Sequence, residues 1–273
     1  MRTLKALLAI VTGTIVAMAT ADAKAEWQTV YQTDFSTDPG WTTDQPNNFY
    51  WDSTNQQYFL SMTNQKQAYT PSRYTYTNTT YGGGSFNLEW DQEMTRSDWS
   101  GGVNFGLYAS DLNGGFADAG LPPGNGTVNL EYANPDAGHM LILRATDASG
   151  TSVMDYAAGN YYSLNTWYHN LIEYDSTTGV ITATVTDMTT DNVIQELSVS
   201  GLGALSVDMT RLGGSRYPFG EDGAPGANPS AIADAVIDNV VLSEAVPESS
   251  TFVMWATGAI GLLAHAWRKR RVR

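Results

Sequence analysis

The 273-residue chain carries 28 acids against 14 Lys and Arg, a formal net charge of −14, and has no cysteine. An acidic excess of this size repels phosphate backbones and excludes nucleic acid as a partner. The missing cysteine excludes a disulfide scaffold, so stability has to come from an ordinary apolar core.

At the N-terminus Arg2 and Lys5 precede an apolar stretch from Ala6 to Ala19, followed by the small-x-small sites Ala21-Asp22-Ala23 and Ala23-Lys24-Ala25. This is the layout of a secretory signal peptide cleaved after Ala25. Residues 1–25 are therefore read as a leader and 26–245 as one domain, with 246–273 as a separate tail. Without the two ends, the body holds 6 cations against 26 acids.

The body reads as all-β. Aromatics crowd its first third: Trp27, Tyr31, Phe35, Trp41, Phe49, Tyr50, Trp51, Tyr58 and Phe59. Most large rings fill cores. Trp41, in the polar run Pro39-Gly-Trp-Thr-Thr-Asp, and Trp99, between Asp98 and Ser100, are the candidates for exposed rings that stack on sugars, with Asn47 and Asn48 as hydroxyl partners. Phe86, Leu88, Trp90 and Met94 then alternate with Asn87, Glu89, Asp91 and Glu93, which gives one apolar and one acidic face, with Gln92 directed at the core. Val103, Phe105 and Leu107 repeat the pattern, and His139–Arg144 forms a further strand. Trp167–Tyr174 and Val180–Thr186 form a hairpin across Asp175–Gly179, and Ala231–Leu242 is the last strand. Asn113–Gly126 and Phe219–Ser230 read as long surface loops. Amphipathic helix patterns are absent from the body.

Several segments resemble known families. The run from Asn165 to Val185 is similar to the central hairpin of laminin-G and concanavalin A-like jelly rolls, and Ile237–Leu242 resembles the close of such lectin or carbohydrate-binding domains. The resemblance implies an antiparallel two-sheet jelly-roll sandwich that binds polysaccharide. Glu89-Trp90-Asp91-Gln92-Glu93 resembles the ExDxE signature of laminarinase- and lichenase-type retaining β-glucanases. That resemblance implies Glu89 as nucleophile, Asp91 as its helper and Glu93 as general acid. Period-2 geometry does place the three carboxylates on one face.

Metal chemistry points to calcium rather than zinc. The body offers only His139 and His169, without zinc spacing. Asp34 and Asp38 near the first strand, and Asp238 in the last with Asp234 and Asn239 beside it, supply the oxygens that a structural calcium takes.

In the tail, Val246-Pro247-Glu248-Ser249 leads into the apolar run Phe252–Trp267, and then come Arg268, Lys269, Arg270, Arg271 and Arg273. Motif, hydrophobic segment and basic cluster resemble the PEP-CTERM sorting signal, with Ser249 where the family has its second proline. The resemblance implies a C-terminal hydrophobic helix that attaches the chain to a membrane and cleavage by an exosortase. It also implies a destination at the cell surface or in the extracellular matrix. The sixteen apolar residues fall short of the roughly 20 of an unstrained span. The reading taken forward is an exported, non-enzymatic polysaccharide-binding protein. The alternatives are a retaining β-glycan hydrolase using Glu89 and Glu93, or a purely structural matrix protein.

Overall fold

The computed structural model describes residues 26–43, 45–61, 73–97, 101–109, 126–134, 138–157, 159–218 and 233–246. Every regular element among them is a strand: β1 (Glu26–Thr33), β2 (Thr42–Thr43), β3 (Phe49–Asp52), β4 (Gln57–Leu60), β5 (Arg73–Asn78), β6 (Phe86–Ser97), β7 (Gly101–Tyr108) and β8 (Thr127–Ala133). They continue as β9 (Met140–Thr146), β10 (Ser152–Ala157), β11 (Trp167–Asp175), β12 (Val180–Asp187), β13 (Asn192–Val199), β14 (Arg211–Pro218) and β15 (Ala233–Val246). Thr29–Glu244 cluster as one compact unit.

The strands form two antiparallel sheets. Sheet A runs β13-β12-β11-β6-β15-β4-β3, with β1 added alongside β15, and sheet B runs β10-β9-β8-β7-β14-β5-β2. Alternation along the chain drives this arrangement. In β11, Tyr168, Asn170, Ile172 and Tyr174 are buried while Trp167, His169, Leu171 and Glu173 face out, and β12 repeats the pattern with Ile181, Ala183 and Val185 inside. Between the sheets Trp90 of β6 meets Phe105 of β7 with ring centroids 5.0 Å apart. Hydrogen bonds tie one sheet to the other, among them Tyr132 Oη to Asn170 Oδ1 at 2.6 Å, Tyr58 Oη with Thr75 Oγ1 at 2.5 Å, and Ser198 N–H of β13 to Asp155 Oδ2 of β10 at 2.9 Å.

Gln92 is fully buried, as its place opposite the acidic face requires, and is satisfied there. Its Oε1 accepts Trp90 Nε1–H at 3.0 Å and its Nε2 donates to Met94 Sδ at 3.3 Å. Burying such a side chain unbonded would cost about 1–3 kcal/mol. In sheet B, Gly106 pairs with Asn129 on one side and Gly213 on the other. A Cβ on Gly106 would lie 2.0 Å from Val128 O, so the close approach of β7 and β8 admits only glycine.

At the β9–β10 turn, Asp147 Oδ1 accepts Ser149 N–H at 2.8 Å, Ser149 Oγ–H at 2.6 Å and Thr151 N–H at 2.9 Å. Its Oδ2 accepts Gly203 N–H at 2.8 Å, which ties the segment after β13 to the turn.

The sequence-derived tail is corrected here. Val246, taken as the first residue of a processing motif, is the last residue of β15, a fourteen-residue strand paired to β6 through Glu244. Pro247 follows, and it has no N–H with which to continue a ladder. The motif residues Glu248 and Ser249, the expected sorting helix over Phe252–Trp267 and the leader over residues 1–25 lie outside the described residues. No helix occurs among the described residues, and none there is long and apolar enough to cross a membrane. Among the described residues the fold is an all-β sandwich with no hydrophobic helix, and membrane attachment through one is withdrawn.

Candidate functional site

The three carboxylates singled out from the sequence share the outer face of sheet A. The run β6 alternates Leu88, Trp90 and Gln92 into the core with Glu89, Asp91 and Glu93 outward. The neighbouring strands add to this face in register. His169 of β11 stands opposite Asp91, and Asp238 of β15 stands opposite it on the other side. A bulge brings Asn239 in as well. Four residues of β15, Asp238 to Val241, face the three from Asp91 to Glu89, and Asn239 takes a left-handed φ of 50°. A bulge of this kind re-aims a side chain, and here Asn239 Nδ2 donates to Asp91 Oδ2 at 2.8 Å.

Asp91 is thus engaged on both oxygens, the second bond being to His169 Nδ1 at 2.8 Å, and is only 6% exposed. His169 Nε2 lies 3.6 Å from Glu89 Oε2. The hydrogen bond to Asp91 raises the imidazole above its ordinary pKa, with the charges of Asp91 and Glu89 adding to it and burial opposing. Asp238 is also raised, chiefly by burial and further by the like charges of Asp91 and Asp34. Glu93 has no side-chain hydrogen bond or ion pair among the described residues.

Beside these groups runs an aromatic row. Trp167 of β11 pairs with Glu93, Glu93 with Val236 of β15, Val236 with Phe59 of β4, and Phe59 with Tyr50 of β3. Phe59 and Tyr50 stack with centroids 5.4 Å apart and planes 5° from parallel, and Tyr50 is 41% exposed. At about 4.8 Å per strand the row from Trp167 to Tyr50 covers about 19 Å. Such rings offer flat apolar platforms, and the adjacent carboxylates and amide accept and donate to hydroxyls.

The other predicted positions distribute differently. Trp41 is a core residue, 8% exposed, not an exposed platform. It packs edge-on to Phe35 at 5.3 Å and lies 4.6 Å from Tyr58, and its N–H donates to Tyr31 Oη at 2.8 Å. The bond to Tyr31 removes the cost of burying the indole N–H. Trp99 lies outside the described residues. Of the proposed calcium ligands, Asp34 Oδ1 caps Ser36 N–H, Asp38 Oδ1 caps Gly40 N–H and Asp238 Oδ1 accepts Asn239 N–H. Among the described residues no group of three or more His, Cys, Asp or Glu is arranged to hold a metal ion. His139 has a packing role, with Nδ1 2.7 Å from Tyr162 O and its ring stacked on Tyr162.

The sequence matches no protein-family model and no curated relative, so the PEP-CTERM resemblance gains no support, and the exosortase partner and the localisation drawn from it are withdrawn with it. Solved structures do match in fold. They include a PL-14 alginate lyase from Aplysia kurodai (TM-score 0.54), lectin II from Ulex europaeus (0.53) and a β-glucanase from Bacillus licheniformis (0.52). Each is 11% identical, and each match covers 79% of this chain and 98% of the other. The fold is accordingly a concanavalin A-like sandwich of the kind found in carbohydrate-binding lectins and in polysaccharide-acting enzymes. At this identity the likeness extends to architecture alone.

Proposed function

We propose that the chain is a non-catalytic glycan-binding protein that holds its ligand on the outer face of sheet A. The observation that carries this is the in-register row of Trp167, Phe59 and Tyr50 beside the outward groups of β6, β11 and β15. Rings at both ends of the row, Trp167 on one side and Phe59 with Tyr50 on the other, with Glu93 and the buried Val236 between them and polar atoms one step away on the same face, suit an extended chain of sugars.

The hydrolase alternative retains one point in its favour, the outward alternation of Glu89, Asp91 and Glu93. Against it, the helper position is already committed. Asp91 spends one oxygen on His169 and the other on Asn239, so its bonds go to the neighbouring strands rather than to Glu89, the nucleophile it would assist; the pair that retaining chemistry uses, Glu89 and Glu93, is not so engaged. Cross-strand bracing of this kind favours a fixed binding surface.

The full-length chain is run through gels cast with a series of polysaccharides, and reducing ends are assayed in parallel. Retardation without new reducing ends is expected. Trp167→Ala should weaken retention about tenfold while far-UV circular dichroism and Tm stay unchanged. Release of reducing ends, or retention indifferent to Trp167 and to the pair Tyr50 and Phe59, would overturn the proposal.

A further inference from the structure

We infer that the ligand of this face is a cationic amino-sugar polymer, a glycan whose rings carry free amines, rather than a neutral or carboxylated one. The inference rests on the glycan-binding reading above and adds to it the chemical class of the ligand.

Charge is divided unequally between the two sheets. From β3 to β15, the strands of sheet A carry eleven Asp and Glu and a single arginine, Arg96. Sheet B has the reverse balance, with Arg73, Arg144, Arg211 and Arg216 against Glu131 and Asp155. Four of the five arginines in these strands thus belong to sheet B rather than to the sheet that carries the aromatic row. A carboxylated polymer laid along sheet A would meet uncompensated like charge.

The placement of acids within that face is specific. Glu93 sits inside the row, between Trp167 and Val236, and has no side-chain partner among the described residues. One step along the strands lie Asp91 and Asp238, opposite each other, the latter held at raised pKa by burial and by its anionic neighbours. His169 is the one titratable cation at the centre, and it already faces Asp91 and Glu89. Thr186 is its register partner on β12 and adds no charge. The face therefore keeps a surplus of negative charge beside its rings. A ring-borne ammonium supplies what is missing. It can donate charge-assisted hydrogen bonds to Glu93 while the sugar's apolar side rests on Trp167. A neutral glycan makes the stacking contact without the charge contact.

The test uses the full chain in affinity gels containing poly-glucosamine, the same polymer N-acetylated, or a polyuronate of matched length. Poly-glucosamine should be retained most strongly, and its association constant should fall at least tenfold as salt rises from low to half-molar. Glu93→Gln should weaken poly-glucosamine binding about five- to tenfold and weaken binding of the N-acetylated polymer clearly less, equal losses for the two polymers overturning the inference. Glu196→Gln, which removes the same charge from edge strand β13, should leave both unchanged. Equal losses for the two variants would reduce the effect to overall net charge and overturn the inference. Stronger retention by the neutral or carboxylated polymer would also overturn it while leaving glycan binding intact. Retention by none of the three polymers would sink both readings.

Discussion

Replacing Asp147 by Asn tests how the β9–β10 turn is held. The carboxylate accepts four hydrogen bonds, three on Oδ1 from Ser149 and Thr151 and one on Oδ2 from Gly203. These hold its pKa down at about 2, with the Ser149 hydroxyl the largest contributor. A depression of about two units would amount to about 2.5 kcal/mol at full effect. The turn's rim at Ala148–Gly150 is exposed, and solvent screening there reduces the contribution to about 1–2 kcal/mol. Because the folded pKa is depressed, this stability is present above the unfolded carboxylate pKa and is lost as pH falls through about 2. The Asn side chain keeps Oδ1 but turns an NH2 toward the Gly203 N–H, so the variant loses the charge and leaves that donor facing another donor. Urea denaturation should show Asp147→Asn less stable by about 1–2 kcal/mol at pH 7, with the gap from wild type narrowing between pH 4 and pH 2. A gap independent of pH would refute the charge-assisted account, and no gap at pH 7 would refute the role of the turn itself.

Two further perturbations address the candidate face and the sheet beneath the other one. Asp91→Asn should lower the titration midpoint of His169 followed by NMR, because the hydrogen bond to Asp91 is the chief cause of its raised value. In the wild type the raised imidazole stabilises the fold fully below its unfolded pKa and ceases to do so as pH rises through the folded value, so the two proteins should differ more at pH 6 than at pH 9. An unchanged midpoint would show that the cross-strand pair does not persist in solution. Gly106→Ala forces a methyl against the Val128 carbonyl and should cost about 3 kcal/mol, a drop of about 6–12 °C in Tm. A drop under about 2 °C would mean that β7 and β8 approach less closely than described.

Much of sheet A was legible in the sequence because its strands are half-buried. Glu89, Asp91 and Glu93 alternate with core residues, as do Trp167, His169 and Leu171, and period-2 patterning reports that situation directly. Trp41 was misread because only its chain neighbours are polar. Its spatial neighbours, Phe35, Tyr58 and Phe105, come from three different segments. Tyr50 and Phe59 escaped notice for the opposite reason. Aromatics occupy both faces of the β3–β4 hairpin, with Phe49 and Tyr58 inside, so composition does not separate platform from core. The braces on Asp91 depend on pairings across 78 and 148 residues. No local signal encodes them, although Asp238-Asn239 is a dipeptide that tolerates the left-handed backbone of a bulge. In the tail, motif, hydropathy and charge say nothing of strand pairing, and β15 runs through Val246, the first residue of the motif.

The position of β15 has a consequence for how the protein comes into being. This strand lies between β6 and β4 in sheet A, yet it is the last to leave the ribosome of all those described. Until Ala233 and the residues after it emerge, β13-β12-β11-β6 and β4-β3 are separate fragments, each with an open hydrogen-bonding edge. Closure joins segments well over a hundred residues apart, a pairing that pays its loop entropy late and forms slowly. A chain truncated before residue 233 would thus keep most of its strands and lose the sheet, with the edges of β6 and β4 exposed to pairing with other chains.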